Sequence, residues 1–223
     1  MSQTTTNLAA RIQANLSGTV SAGKLVVTPL PLCPAVRLYL ISADYPRGRL
    51  DETELQAILR DPAYWAFCWA SGQVLARYIL DYPDQFSGKT VLDFGTGSGV
   101  VAIAAALAGA SRVIACDIDP MALDASRANA ELNGVELELL DDVNKLAGPV
   151  DIVIAADVLY DRDNIPWLDR LPAFGDEVLI ADSRFKQVEL HGYRIVERIT
   201  ATTVPDLDEL QEFSRVKVYR AVR

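Results

Sequence analysis

The 223-residue sequence is poor in the residues that metal and redox chemistry draw on. It has one histidine, His191, which discourages any mechanism that needs two. Its three cysteines, Cys33, Cys68 and Cys116, are odd in number and widely spaced. They form no metal pattern, so no metal is expected, and a reducing cytoplasm is the compartment that fits. They read as small buried residues, and neither they nor His191 are assigned chemistry. No apolar run approaches the ~18 residues of a membrane span. The longest, residues 100–110, is alanine-rich and reads as a buried helix. The opening MSQTTTNLAARIQ lacks a basic region followed by an apolar stretch, so no secretory signal is expected. Positive charge is scarce, with 21 Lys and Arg against 30 Asp and Glu and a net charge of −9. Neither nucleic acid nor an anionic membrane is therefore expected as a partner. A cationic substrate, or a basic patch on a protein, suits this balance better.

What is present is a globular composition, 50% hydrophobic and 23% charged, with enough apolar material for one core. Leu8, Ile12 and Leu16 recur at helical spacing. Residues 24–28 and 36–42 read as extended pieces separated by Pro29, Pro31 and Pro34. A short helix is expected over 47–61, with Asp51 as a possible cap, closed by Pro62. This N-terminal extension, residues 1–62, is a possible docking surface for a substrate. The aromatic patch Tyr64-Trp65-Ala66-Phe67-Cys68-Trp69 opens a second unit, residues 63–223, and leads into a helix over 71–80. Strands are expected over 90–94, 112–116, 136–140, 150–155 and 177–181, with helices after the first two and over 165–171. Asp119-Pro120 reads as a cap followed by proline at the first helical position. This alternation gives a parallel sheet covered on both faces. Residues 193–200 and 213–221 should pair, placing an antiparallel strand at or near one edge. The charged cluster Asp206-Leu207-Asp208-Glu209 reads as solvated loop.

The informative stretch is Val91-Leu92-Asp93-Phe94-Gly95-Thr96-Gly97-Ser98-Gly99, a strand that runs into a tight turn with a helix directly after. Glycines belong there because the backbone must turn sharply and approach a ligand closely. Asp117 ends the next strand, 22 residues after Gly95, where a carboxylate can accept two ribose hydroxyls. The third glycine comes one residue earlier than a dinucleotide fingerprint requires. Asp93 beside the loop suits a cationic, amine-bearing nucleoside better than a pyrophosphate. S-adenosylmethionine, with an ammonium and a sulfonium, meets that description.

These residues resemble the seven-stranded S-adenosylmethionine-dependent methyltransferases. The resemblance implies an α/β, Rossmann-like seven-stranded sheet, mostly parallel with an antiparallel C-terminal strand. It implies that the cofactor is S-adenosylmethionine, that Asp93 lies by its methionine moiety, that Gly95, Gly97 and Gly99 pass under it and that Asp117 holds the ribose. It also implies an acidic contact to the adenine, from Asp141 or Asp142, with Asp141 preferred. The fourth expected strand ends in Asp157-Val158-Leu159-Tyr160, at the strand edge where open α/β sheets hold ligands. Asp157-x-x-Tyr160 resembles the D-x-x-Y signature of a group of protein lysine methyltransferases. The segments Pro34-Ala35-Val36-Arg37-Leu38-Tyr39-Leu40 and Tyr64 to Gln73, with Asp117-Ile118-Asp119-Pro120, extend the likeness toward lysine methyltransferases of the electron-transfer flavoprotein β subunit. Leu159 stands where that group often has an aromatic residue.

The resemblance makes Asp157 and Tyr160 the catalytic candidates, places Trp69 by the cofactor and makes a flavoprotein subunit the expected protein partner. For Asp157 and Tyr160 a helix-capping carboxylate and a packing tyrosine are the plainer readings. For Trp65 and Trp69 the plainer reading is core anchors. Other acceptors, a ribosomal-protein lysine or a small amine, would give the same cofactor loop. A nucleoside-binding module without catalysis is a further alternative.

Overall fold

The computed structural model describes residues 8–45, 52–184 and 192–222. Helix α1 (Leu8–Thr19) precedes a hairpin of β1 (Leu25–Pro29) and β2 (Arg37–Ile41) and a helix α2 (Glu52–Arg60). Then follow α3 (Ala70–Asp81), β3 (Thr90–Phe94), α4 (Val100–Leu107), β4 (Arg112–Cys116), α5 (Pro120–Asn133) and β5 (Glu138–Leu140). The chain continues with β6 (Val150–Ala156), α6 (Trp167–Arg170), β7 (Gly175–Asp182), β8 (Arg194–Thr200) and β9 (Arg215–Val222). The expected helix start at Arg47, its cap Asp51 and the lone His191 lie outside the described residues.

Seven strands form one sheet in the order β5-β4-β3-β6-β7-β9-β8. The first five are mutually parallel, and β9 is antiparallel to both of its neighbours. The C-terminal strands pair as expected, with β8 on the edge and β9 one place in.

Alternation along each strand divides the core into two layers. Val91, Ile152, Ile154, Leu179 and Ala181 face α3 and α4. Leu92, Val153, Ala155, Val178 and Ile180 face the other way, toward Leu168 and Leu171. That second cover is thinner than the helix expected over 165–171. Pro166 and Pro172 bracket it and reduce it to one α-helical turn flanked by 3-10 turns.

A third cluster joins Ile12 and Leu16 of α1, Ile41 of β2, Trp65, and Ala122, Ala125 and Ala128 of α5. Trp65 is thus a core anchor. The free edge of β2 is closed by side chains rather than by a strand. Asn129 Oδ1 accepts from Tyr39 N at 2.7 Å, and Asn133 Oδ1 accepts from Arg37 N at 3.0 Å. Two asparagines one helical turn apart on α5 thereby satisfy alternate backbone donors of β2.

All three cysteines are buried and free. Among the described residues no helix is long and apolar enough to cross a membrane, and no group of three His, Cys, Asp or Glu is placed to hold a metal.

Candidate active site

The C-terminal ends of β3, β4 and β6 meet at the glycine loop. Gly95, Gly97 and Gly99 all adopt left-handed backbone, with φ of 71°, 52° and 80°. The loop is held from both sides. Asp93 is buried, and its Oδ2 accepts from Thr96 Oγ1 at 2.8 Å and from Ala102 N at 3.1 Å, tying the loop to the first turn of α4. Burial pushes its carboxyl up to about 7, against the lowering effect of those two hydrogen bonds. From α5, Ser126 Oγ donates to Gly97 O at 3.1 Å and Asn129 Nδ2 donates to Ser98 O at 2.8 Å.

Asp117, at the end of β4, accepts from Gly97 N at 2.9 Å and from Asp119 N at 3.0 Å, one bond per oxygen. Burial raises its carboxyl above the ordinary carboxylate range, again opposed by those N–H groups.

The loop also leaves room. A Cβ on Gly95 would sit 2.8 Å from Val158 Cγ1 and one on Gly99 3.0 Å from Ser126 Cα, but one on Gly97 would meet nothing within 4 Å. Gly97 therefore faces open space beside Asp117. Ile118 follows Asp117 with 90% of its surface exposed. An apolar side chain so placed offers a flat ligand a surface to lie against. A carboxylate for hydroxyls, an open glycine and an apolar ledge fit an adenosine group.

Asp141, the preferred adenine contact, points into solvent and is paired with Lys145 at 2.8 Å. Asp142 accepts from Asn144 N at 2.9 Å and caps the turn that follows. Both lie at the same end of the sheet as Asp93 and Asp117. After burial itself, these four charges push the Cys116 thiol up to about 12.

Across β3 from Asp117, Asp157 follows β6 with a φ of 54°, left-handed backbone that costs a non-glycine residue about 1–3 kcal/mol. Its carboxylate faces the start of α3. Ser71 N donates to Oδ2 at 2.9 Å and Ser71 Oγ donates to Oδ1 at 2.6 Å. Trp69, the residue at the N-cap position, caps nothing with its own side chain. Asp157 does so from 86 residues away, so the capping carboxylate is present. Burial and then neighbouring Asp182 push Asp157 up to about 7, while Ser71 and Arg184 act in the opposite direction. After the left-handed turn Val158 and Leu159 are buried in the core and Tyr160 is exposed.

Tyr160 is 54% exposed and Tyr64 48%. Their rings meet edge to face at 5.8 Å, and Tyr64 meets Trp69 in the same way at 5.9 Å. Trp69 Nε1 donates to Tyr64 O at 3.1 Å, which fixes the indole. Trp69 is half-buried, unlike Trp65.

The connection from β8 to β9 clamps this aromatic corner. Cys68 and Val204 exchange backbone hydrogen bonds at 2.9 and 2.8 Å, and Gln73 Nε2 donates to Thr202 O at 2.7 Å. Asp206 and Asp208 are exposed, as a solvated loop requires, but Glu209 turns inward to Arg184 and Thr203. Arg184 lies over the rings of Phe213 and Trp69 at 4.7 and 6.0 Å.

The structure thus gathers Asp93, Gly95, Gly97, Gly99 and Asp117 into one loop site. It brings Tyr160 and Trp69 each against Tyr64, ties Asp157 to Ser71 two residues past Trp69, and leaves Asp141 in solvent. The sequence reading assigned nothing to Ser71, Ile118 or Arg184. Tyr64 was visible only as part of an aromatic run.

The profile of the family described as ribosomal protein L11 methyltransferase (PrmA) matches residues 75–161, from within α3 to Asp161. The chain is 41% identical over 139 residues to the Rattus norvegicus electron transfer flavoprotein beta subunit lysine methyltransferase, covering 59% of this chain and 54% of that protein. To the Xenopus laevis protein of the same description it is 36% identical over 169 residues, covering 72% of this chain and 68% of the relative. The chain therefore spans from about half to two-thirds of the length of these relatives. Among solved structures, a T. thermophilus 16S rRNA methyltransferase in complex with AdoMet and guanosine superposes with a TM-score of 0.58 at 13% identity, over 91% of this chain and 51% of that one. That likeness is one of fold.

Proposed function

The chain belongs to the electron transfer flavoprotein beta subunit lysine methyltransferase family, and from that premise we propose that it transfers methyl groups from S-adenosylmethionine to lysine side chains of the electron transfer flavoprotein beta subunit. The observation that carries this reading is the placement of Asp157, gripped by Ser71, at the end of β6 beside the glycine loop and across β3 from Asp117.

S-adenosylmethionine supplies an electrophilic methyl group on a sulfonium. Asp117 would accept the ribose hydroxyls, Ile118 would lie against the adenine, and Gly97 would leave the loop open to the donor. Asp93 would act chiefly through the loop, since Thr96 and Ala102 already occupy one of its oxygens.

The acceptor side must solve a protonation problem. A free lysine ionises near pH 10.4, so about 1 in 2500 is neutral at pH 7, a handicap of about 4.6 kcal/mol. Asp157 would draw the ammonium in as a cation and then orient the neutral amine by accepting one of its hydrogens. With its own carboxyl poised near 7 it can hold the proton the lysine gives up. Tyr160, exposed three residues on, would offer its hydroxyl to the same amine. Fixed groups of this kind act through orientation and electrostatics. The net charge of −9 suits a protein acceptor presenting lysines.

The test is incubation with labelled S-adenosylmethionine and purified electron transfer flavoprotein, wild type against Asp157→Ala. Label on the beta subunit that the variant does not transfer supports the reading. Transfer to a ribosomal protein or a small amine in its place replaces the substrate.

A further inference from the structure

We propose that Tyr64 sets how many methyl groups one lysine receives, by forming with Trp69 and Tyr160 an aromatic wall that retains the methylated ammonium. The inference rests on the lysine methyltransferase reading above and extends it to a residue that reading does not require.

The three rings stand in a row, Tyr160 to Tyr64 at 5.8 Å and Tyr64 to Trp69 at 5.9 Å, with interplanar angles of 62° and 68°. Tyr64 is the shared member, and about half of its surface is uncovered. Its position is fixed from behind. Tyr64 N donates to Pro62 O at 2.8 Å, its carbonyl holds the Trp69 indole, and Trp65 and Ala66 of the same turn are buried. Asp157 reaches this corner through Ser71, two residues past Trp69.

A carboxylate and an aromatic wall prefer different ammonium ions. Asp157 accepts N–H bonds, and each methylation removes one, so Asp157 alone favours the unmodified lysine. Ring faces attract cations without needing N–H donors, and a methylated ammonium sheds its water more readily than a bare one. In each round the neutral nitrogen forms a bond to the methyl carbon with its lone pair. The carbon–sulfur bond breaks, its electron pair goes to sulfur, and the new ammonium must lose a proton before the next round. Retention between rounds falls to the rings.

Mass spectrometry of the electron transfer flavoprotein beta subunit under excess enzyme gives the rates of the first and later additions to one lysine. Tyr64→Leu should lower the ratio of second to first rate by about tenfold, with Tyr64→Phe within about twofold of wild type. Binding of tetramethylammonium, followed by tryptophan fluorescence, should weaken several-fold in Tyr64→Leu and hardly change in Tyr64→Phe. Equal slowing of every addition by Tyr64→Leu, a wild type that stops at one methyl, or unchanged tetramethylammonium binding would each overturn the proposal. A beta subunit left unmethylated by wild type removes the substrate assignment instead. The tetramethylammonium comparison then decides the aromatic wall by itself: weakened binding supports it and equal binding overturns it.

Discussion

Ser71 donates both its backbone N–H and its hydroxyl to Asp157, at 2.9 and 2.6 Å, so that one residue at the start of α3 grips both carboxylate oxygens. The grip holds a side chain whose own backbone is left-handed and whose burial favours the neutral acid. Hydrogen bonds to the charged form counteract that preference.

Removing the hydroxyl should therefore make Asp157 harder to ionise. Ser71→Ala is expected to move the acid limb of the kcat/KM profile about one pH unit higher and to lower kcat/KM at neutral pH about tenfold. Ser71→Thr, which keeps the hydroxyl, should restore the profile. A variant with lower activity but an unmoved limb would contradict this role.

Asp117 joins the loop to the end of β4 and is the residue proposed to accept the ribose hydroxyls. Asp117→Ala should weaken S-adenosylhomocysteine binding by about 10- to 100-fold, since a charge-assisted hydrogen bond contributes about 1.5–3 kcal/mol. Isothermal titration measures this, and an unchanged dissociation constant would remove Asp117 from the donor site.

Two glycines of the same loop should fail in different ways. A Cβ at Gly95 would collide with Val158, whereas one at Gly97 enters open space. Both substitutions pay left-handed strain of about 1–2 kcal/mol. Gly95→Ala should add an overpacking cost of about 1–3 kcal/mol and show mainly as a lower Tm. Gly97→Ala should show mainly as lost donor binding. Paired calorimetry and titration on the two variants distinguish the outcomes.

Asp93 gives a pH dependence of stability with a defined sign. Its carboxyl moves from 3.8 in the reference state to about 7 in the fold. The folded chain thus keeps a proton that the unfolded chain releases. This group's contribution to stability falls as pH rises through that window and is level above it. Asp93→Asn keeps an acceptor for Thr96 and Ala102 and loses the titration. Its Tm relative to wild type should improve on raising the pH from about 4 to about 8. A constant difference, read by calorimetry, would contradict the buried-acid description.

The loop site was legible in the sequence because it is local. A strand, three glycines and a helix are contiguous, and Asp117 follows at the spacing of one helix and one strand. β3 and β4 begin and end at the expected residues, Thr90–Phe94 and Arg112–Cys116. The acceptor side was legible only in pieces. Asp157, Tyr160 and Trp69 were marked by resemblance, but the contact that fixes Asp157 runs from Ser71 across 86 residues, and a serine near a helix start carries no sign of a distant partner. The cap at Trp69 was invisible for the same reason. α6 misled because Leu168 and Leu171 have helical spacing while Pro166 and Pro172 leave room for one α-helical turn. The clasp of β2 by Asn129 and Asn133 has no periodic signature, since side chains there stand in for a strand. Asp141, the preferred adenine contact, is turned to Lys145 by a neighbour four residues on, which spacing alone does not weigh against a ligand.

Asp157 is proposed to serve transfer of a methyl group to lysine on the electron transfer flavoprotein beta subunit. The most direct measurement is the intact mass of that subunit after incubation with S-adenosylmethionine and either wild type or Asp157→Asn, with S-adenosylhomocysteine binding checked for both. The expected result is mass increments of whole methyl groups with wild type, none with Asp157→Asn, and similar binding by the two proteins. Full methylation by Asp157→Asn, or an unmodified subunit with wild type that binds the nucleoside normally, would contradict it.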